Sequence, residues 1–207
     1  MDQISHPSHR EIKLNLNKSR FTFREKTNWV VIAGAPSSGK STLINQLMER
    51  GFKTVPEMAR LYLNQELAKG RSIQEIRSEQ KALQYCFMDM QIKTEQELNP
   101  AEFLFLDRGL PDHFGYCRLA EVDPNEFLAD CFHFQYACVY ILAPLQYEED
   151  GLRDTEAGIV NYFDYWTTRD YQDLGYEVTR VPVLPREERL NFILTDLSTK
   201  SLLKDRS

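Results

Sequence analysis

Residues 34 to 42 read Gly34-Ala35-Pro36-Ser37-Ser38-Gly39-Lys40-Ser41-Thr42. Two glycines, then at once a lysine and a serine, give the spacing G-x-x-x-x-G-K-S, the phosphate loop or P-loop. Glycine tolerates backbone angles that let consecutive N–H groups turn inward around an anion. A helix beginning near Lys40 adds the positive end of its dipole. Lys40 then reaches the outer phosphates of a nucleoside triphosphate, and the Ser41 hydroxyl offers an oxygen to Mg²⁺. The stretch names a ligand, ATP or GTP, but no reaction.

Three further groups could act on that ligand. Glu57 and Arg60 stand in "VPEMAR". A carboxylate just past a strand suits acceptance of a proton from an acceptor hydroxyl, and Arg60 suits a phosphate or carboxylate, or the orientation of Glu57. The same pair reads equally as a helix-start glutamate with an arginine at i+3. "FLFLDRG" ends an apolar run in Asp107, the placement of a second Mg²⁺-binding carboxylate. Its neighbour is Arg108, not the second carboxylate that would activate a water, so the pattern favours transfer to a bound acceptor. A plain turn between Asp107 and Gly109 is the alternative. "YEEDGLRDTEAG", residues 147 to 158, is a polar loop that could close over phosphates and bring in Arg153; a solvated loop is the alternative. Arg169 could support Arg153 more weakly. His113 is set aside as structural.

These groups need a scaffold that brings them to one place. "WVVIAG" is a short β-branched run of the kind buried on both faces. "KSTLINQLMER" follows as a helix with Leu43, Leu47 and Met48 on its apolar face, stopped at Gly51. "FKTVPE" reads as a second strand and "MARLYLNQELAKG" as a helix. Ser72 and Glu75 form a capping box opening a long helix striped with Ile73, Ile76, Leu83, Phe87 and Met90. "EFLFLD" is a third strand, Asp123-Pro124 opens another helix, and "ACVYIL" is a fourth strand. A helix over about 155 to 174, the strand "YEVTRVP" and the helix "PREERLNFILTDL" complete the chain. Alternating strands and helices predict an α/β domain with a parallel sheet covered on both faces. Right-handed crossovers put every strand's C-terminal end on one edge, where ligands bind. All the nominated residues follow strands at that edge.

The chain has 207 residues, enough for one domain, set at 29 to 200 behind an N-terminal arm of 1 to 28. "FTFRE" in the arm alternates and could add an edge strand. With 42% hydrophobic residues and a net charge of −6, the chain lacks the basic excess of a nucleic-acid binder. No apolar run is long enough to span a membrane. The four cysteines, Cys86, Cys117, Cys131 and Cys138, form no CxxC pair and read as reduced thiols. With a polar start lacking a secretion signal, the cytoplasm is the expected compartment.

"GAPSSGKSTL", "VPEMAR", "FLDRGLPD" and "LGYEVTRVP…PREER", in this order, resemble the AAA-domain family of small predicted ATPases with a kinase-like core. The chain is more distantly similar to the ribosylnicotinamide kinase domain of the bifunctional NAD regulator proteins, through "SSGKS", E-x-x-R after the second strand, and "DGLR". The resemblance spans about residues 29 to 197. It implies a P-loop NTPase with a five-stranded parallel sheet in the order 2-3-1-4-5 and a lid. It also implies Glu57 as base, Arg153 as lid arginine, and Asp107 as metal or acceptor ligand. "DRG" at Asp107 departs from the ribosylnicotinamide kinases. The expected activity is therefore transfer of the γ-phosphate of ATP or GTP, with Mg²⁺, to a small nucleoside-like or other metabolite hydroxyl. Glu57, Arg60, Asp107 and Arg108 would surround the acceptor. The base pocket is expected near "RVPVLPRE", beside Pro182 and Pro185. A nucleotide-hydrolysing switch, or a nucleotide-binding module acting on a protein or lipid partner, is the alternative; no N-K-x-D guanine signature follows the fourth strand.

Overall fold

In the computed structural model, which describes residues 11–16, 21–145 and 154–203, the apolar run Trp29–Gly34 is a strand buried along its whole length. It is β2, and β1 is the two-residue strand Glu25–Lys26 before it. Then come α1 (Lys40–Glu49), β3 (Thr54–Val55), α2 (Met58–Ala68), α3 (Ile73–Ser78), α4 (Gln80–Glu97) and β4 (Leu104–Asp107). After them lie α5 (Phe114–Leu119), β5 (Phe134–Gln135), β6 (Cys138–Leu142), α6 (Asp154–Asp173), β7 (Val178–Val181) and α7 (Arg186–Thr199). Five strands form one sheet in the order β3-β4-β2-β6-β7, every pair parallel. That is the expected second-third-first-fourth-fifth order.

Strand side chains alternate between two cores, as a pleat requires. Val30 and Ile32 face α1 and α7 through Leu43, Leu47, Leu190 and Ile193. Trp29, Val31 and Ala33 face the other layer, where Met88 of α4, Phe114 and Cys117 of α5, and Tyr171 of α6 cover the sheet. Both faces are thus closed, and the glycine-rich loop leaves the central strand at the edge.

Several expected boundaries shift. The stripe after the capping box is two helices, broken at Glu79 (φ −99°, ψ 40°). The Ser72–Glu75 box itself is complete. Ile76, Leu83 and Phe87 make one small core across the break, while Ile73 turns to solvent. Met48 is also exposed, one step off the stripe that Leu43 and Leu47 bury. The second strand keeps only Thr54–Val55, because Pro56 has no N–H to extend the ladder. Asp123-Pro124 opens a single 3₁₀ turn, Pro124–Phe127. Asn125 is held there by Asp123 and by the backbone at Lys13 and Asn15. Of the polar segment 147 to 158, residues from Asp154 onward are already helix α6. Arg153 lies outside the described residues.

"FTFRE" contributes β1, which pairs parallel with β5 in a separate two-stranded sheet rather than at the edge of the main one. Phe21 and Phe23 pack on Phe132 with ring centroids 5.1 and 5.0 Å away. Further back, the Ile12 carbonyl accepts a hydrogen bond from Arg118 Nε at 2.7 Å. The two Nη atoms of Arg118 grip both oxygens of Asp170 at 2.7 Å each. No helix among the described residues is long and apolar enough to cross a membrane.

Candidate active site

The loop between β2 and α1 takes the backbone shape its composition permits. Gly34, Ser37 and Gly39 have φ of 137°, 60° and 91°. At Gly34 a Cβ would lie 2.9 Å from the Leu142 carbonyl of the neighbouring strand, so only glycine lets the loop leave the sheet there. Lys40 is buried, and its ammonium donates to the carbonyls of Gly34 and Ala35 at 2.7 Å and to Ser38 Oγ at 3.3 Å. Burial, and then the charge of Arg108, pull its pKa down to about 7 against the opposing carboxylates Asp112, Asp107 and Glu57. An anion in the loop would reverse that shift.

Four other predicted residues meet this loop. Glu57 is the residue before α2. Its carboxylate makes no capping hydrogen bond. Instead Oε1 accepts from Arg108 Nε at 2.7 Å, and Arg60 is only loosely paired with it at 4.0 Å. Arg60 also donates to Ser41 Oγ at 3.2 Å. The helix-start pairing therefore gives way to a link between two strand ends, β3 and β4. Burial pushes the Glu57 carboxyl up, but Arg108, Lys40 and Arg60 together outweigh it and hold it below its ordinary value. Asp107, ending β4, goes the other way: burial and the charge of Glu57 raise it to about 6 against Arg108 and Lys40. Its Oδ1 is buried without a hydrogen-bond partner.

Pro36, Ser37, Gly39, Lys40, Ser41, Thr42, Glu57, Arg60 and Arg108 line one cavity of about 410 Å³. A second cavity, about 220 Å³, opens on the other side of Gly39 and Thr42 and is closed by Leu145, Leu184, Pro185, Arg186 and Arg189. It occupies the region expected for a base; Pro185 lines it and Pro182 is not among its lining. Arg169 pairs with Asp173 at 3.1 Å and lines neither cavity. His113 is buried with Nε2 unpartnered, and burial lowers its pKa to about 4, so it is neutral.

Two participants were not singled out in the sequence. Arg189 donates from Nη1 to the Ser38 carbonyl at 2.8 Å. Asp112 accepts from the Gly109 N–H at 3.0 Å and the Tyr171 hydroxyl at 2.6 Å. Both lie inside quoted motifs, "PREER" and "FLDRGLPD". A charged helix start and a turn aspartate give no local sign of burial.

A family model described as an AAA domain matches residues 29–189, and the chain belongs to that family. No curated protein sequence matches it significantly. Among solved structures, a NadR protein in complex with NR superposes with a TM-score of 0.63 at 16% identity, over 87% of this chain and 52% of that one. The chain thus spans about half the length of that NadR protein. Deoxyadenosine kinase from M. mycoides gives a TM-score of 0.59 at 16% identity, over 83% and 99% of the two chains. Thymidylate kinase from Candida albicans gives 0.53 at 15% identity, over 86% and 96%. The fold is that of the P-loop kinases.

Proposed function

We propose that the protein transfers the γ-phosphate of ATP or GTP to a hydroxyl of a small, nucleoside-like or other metabolite, in the cytoplasm. The observation that carries this reading is the Arg108–Glu57 pair at 2.7 Å on the wall of the cavity that Lys40 and Ser41 also line. The triphosphate lies along the loop amides and Lys40, with its base in the cavity beside Pro185. Glu57, ionised at neutral pH, accepts the proton of the attacking hydroxyl. Arg108 and Arg60 hold Glu57 and the acceptor, and neutralising the moving phosphoryl group is the role assigned to Arg153. Such transfer depends on positioning and charge neutralisation more than on covalent chemistry.

Mg²⁺ fits the residues present. Ser41 Oγ and the unpartnered Asp107 Oδ1 are hard oxygen donors of the kind it takes, one or two per site beside phosphates. When bound, it neutralises charge on the phosphate oxygens.

The test is incubation with labelled ATP and GTP, with and without a metabolite pool. A labelled phosphorylated metabolite supports the reading. Free phosphate alone would make the protein a hydrolase or switch, and binding without turnover would make it a binding module for a protein or lipid partner. Glu57→Gln is expected to keep nucleotide affinity and to lose at least roughly 10²-fold in transfer; unchanged transfer removes Glu57 from its role.

A further inference from the structure

Resting on the phosphotransferase reading above, we propose that Asp112 is a positioning residue that aims Arg108 at Glu57. Arg108 has φ 79°, a left-handed conformation that is strained for a non-glycine residue. Such a conformation persists where the surroundings over-determine it. Asp112 is the centre of those surroundings. It is 1% exposed. Its Oδ2 ties the turn in two directions, accepting from the Gly109 N–H at 3.0 Å and from Tyr171 of α6 at 2.6 Å. The next N–H, Leu110, donates to the Tyr136 hydroxyl at 3.0 Å, and that hydroxyl donates to Glu95 of α4 at 2.8 Å. The turn after β4 is therefore pinned to two helices.

The other oxygen of Asp112 is the informative one. Oδ1 is buried and makes no hydrogen bond, yet it stands 3.7 Å from Arg108 Nη1. A protein interior seldom leaves an acceptor bare, since that forfeits its hydration without replacement. A turn-capping role uses only Oδ2 and explains nothing about Oδ1. The guanidinium instead lies between two carboxylates, with Nε 2.7 Å from Glu57 and Nη1 facing Asp112. The centroid of the Tyr116 ring lies 5.7 Å from Arg108 Cζ and leaves the fork free to turn in its own plane; a second charge beyond Glu57 fixes that turn. Asp112 does not itself line the cavity; it faces Arg108, which does, and acts through it.

The test uses the full chain and reads Arg108 directly. The Arg108 Nε–H resonance is assigned by its loss in Arg108→Lys, and its exchange with water is followed by NMR in wild type, Asp112→Asn and Tyr171→Phe. Both variants are expected to exchange this proton roughly tenfold faster, as loss of about one hydrogen bond's worth of local stability requires. Both are expected to lose roughly 10- to 100-fold in kcat, with KM for the nucleotide nearly unchanged. Tyr171→Phe removes only a hydroxyl and keeps the test alive if Asp112→Asn does not fold. Unchanged Arg108 exchange with unchanged kcat in a folded variant, even one with a lower Tm, overturns the inference. If wild type transfers no phosphoryl group but Arg108 exchange responds to Asp112, the phosphotransferase reading falls and the positioning role stands.

Discussion

Arg189, in the first turn of α7, donates to the carbonyl of Ser38 at 2.8 Å, so the phosphate loop is braced from a helix 151 residues further along the chain. The fit is close: a Cβ on Gly39 would lie 2.9 Å from Arg189 Nη1. The same arginine lines the cavity beside Pro185, and its buried Nε has no hydrogen-bond partner. Arg189→Ala should leave the loop without its brace. The expected result is a loss of about 1–3 kcal/mol in stability and a weaker triphosphate affinity by roughly tenfold, read by denaturant melts and calorimetry.

Lys40 is a group held against its own stability. Its folded pKa of about 7 lies well below the 10.5 of a free lysine side chain. For a group depressed in the folded state, its share of stability is complete above about pH 10.5 and is lost as pH falls toward 7. Wild type should therefore gain stability between those limits, and Lys40→Met should lack that slope. The same variant should lose triphosphate affinity by at least roughly tenfold, since a charge-assisted contact disappears. Urea melts at pH 7 and pH 9, with titration calorimetry, check both halves.

Gly109 is constrained by proximity rather than by backbone angle. A Cβ there would lie 2.7 Å from the Tyr171 hydroxyl and 3.0 Å from Tyr136 Cε2. Gly109→Ala should cost roughly 1–3 kcal/mol through overpacking. It should also lower phosphoryl transfer more than nucleotide affinity, because the displaced turn carries Arg108. A stability unchanged from wild type would show that the two rings yield at no cost.

The phosphate loop was legible because everything it needs is local: two glycines, a lysine and a hydroxyl within one turn of chain. The sheet order is legible only through the family resemblance that the motifs carry in series, and the β-branched run "WVVIAG" signals burial on both faces. The break at Glu79 was not legible, since the apolar stripe from Ile76 to Leu83 and Phe87 runs across it as though one helix continued. Glu57 and Arg108 each stand out beside a strand end, but 51 residues separate them, and nothing local says that they touch. Asp112 and Arg189 carry no mark in the sequence because burial, which makes them matter, is a property of the packed molecule.

Glu95 offers a pH test away from the phosphates. Burial raises its carboxyl to about 7, against hydrogen bonds from Gln91 and Tyr136. A carboxyl raised in the folded state gives its full stability below the unfolded value of 4.5 and loses it as pH climbs to about 7. Each unit crossed is worth about 1.4 kcal/mol at most. Wild type should lose ground to Glu95→Gln between pH 5 and pH 7.5 in denaturant melts; parallel curves would contradict the assignment.

The hydrogen bond from Arg118 to the Ile12 carbonyl has a practical consequence for anyone expressing this protein. The family match begins at residue 29, which invites a gene trimmed to that codon. Such a truncation would strip the aromatic lid from Phe132, delete the partner strand of β5, and uncap an arginine locked in the interior. The margin of kinship and the margin of cooperative folding fall in different places, and cloning should respect the second.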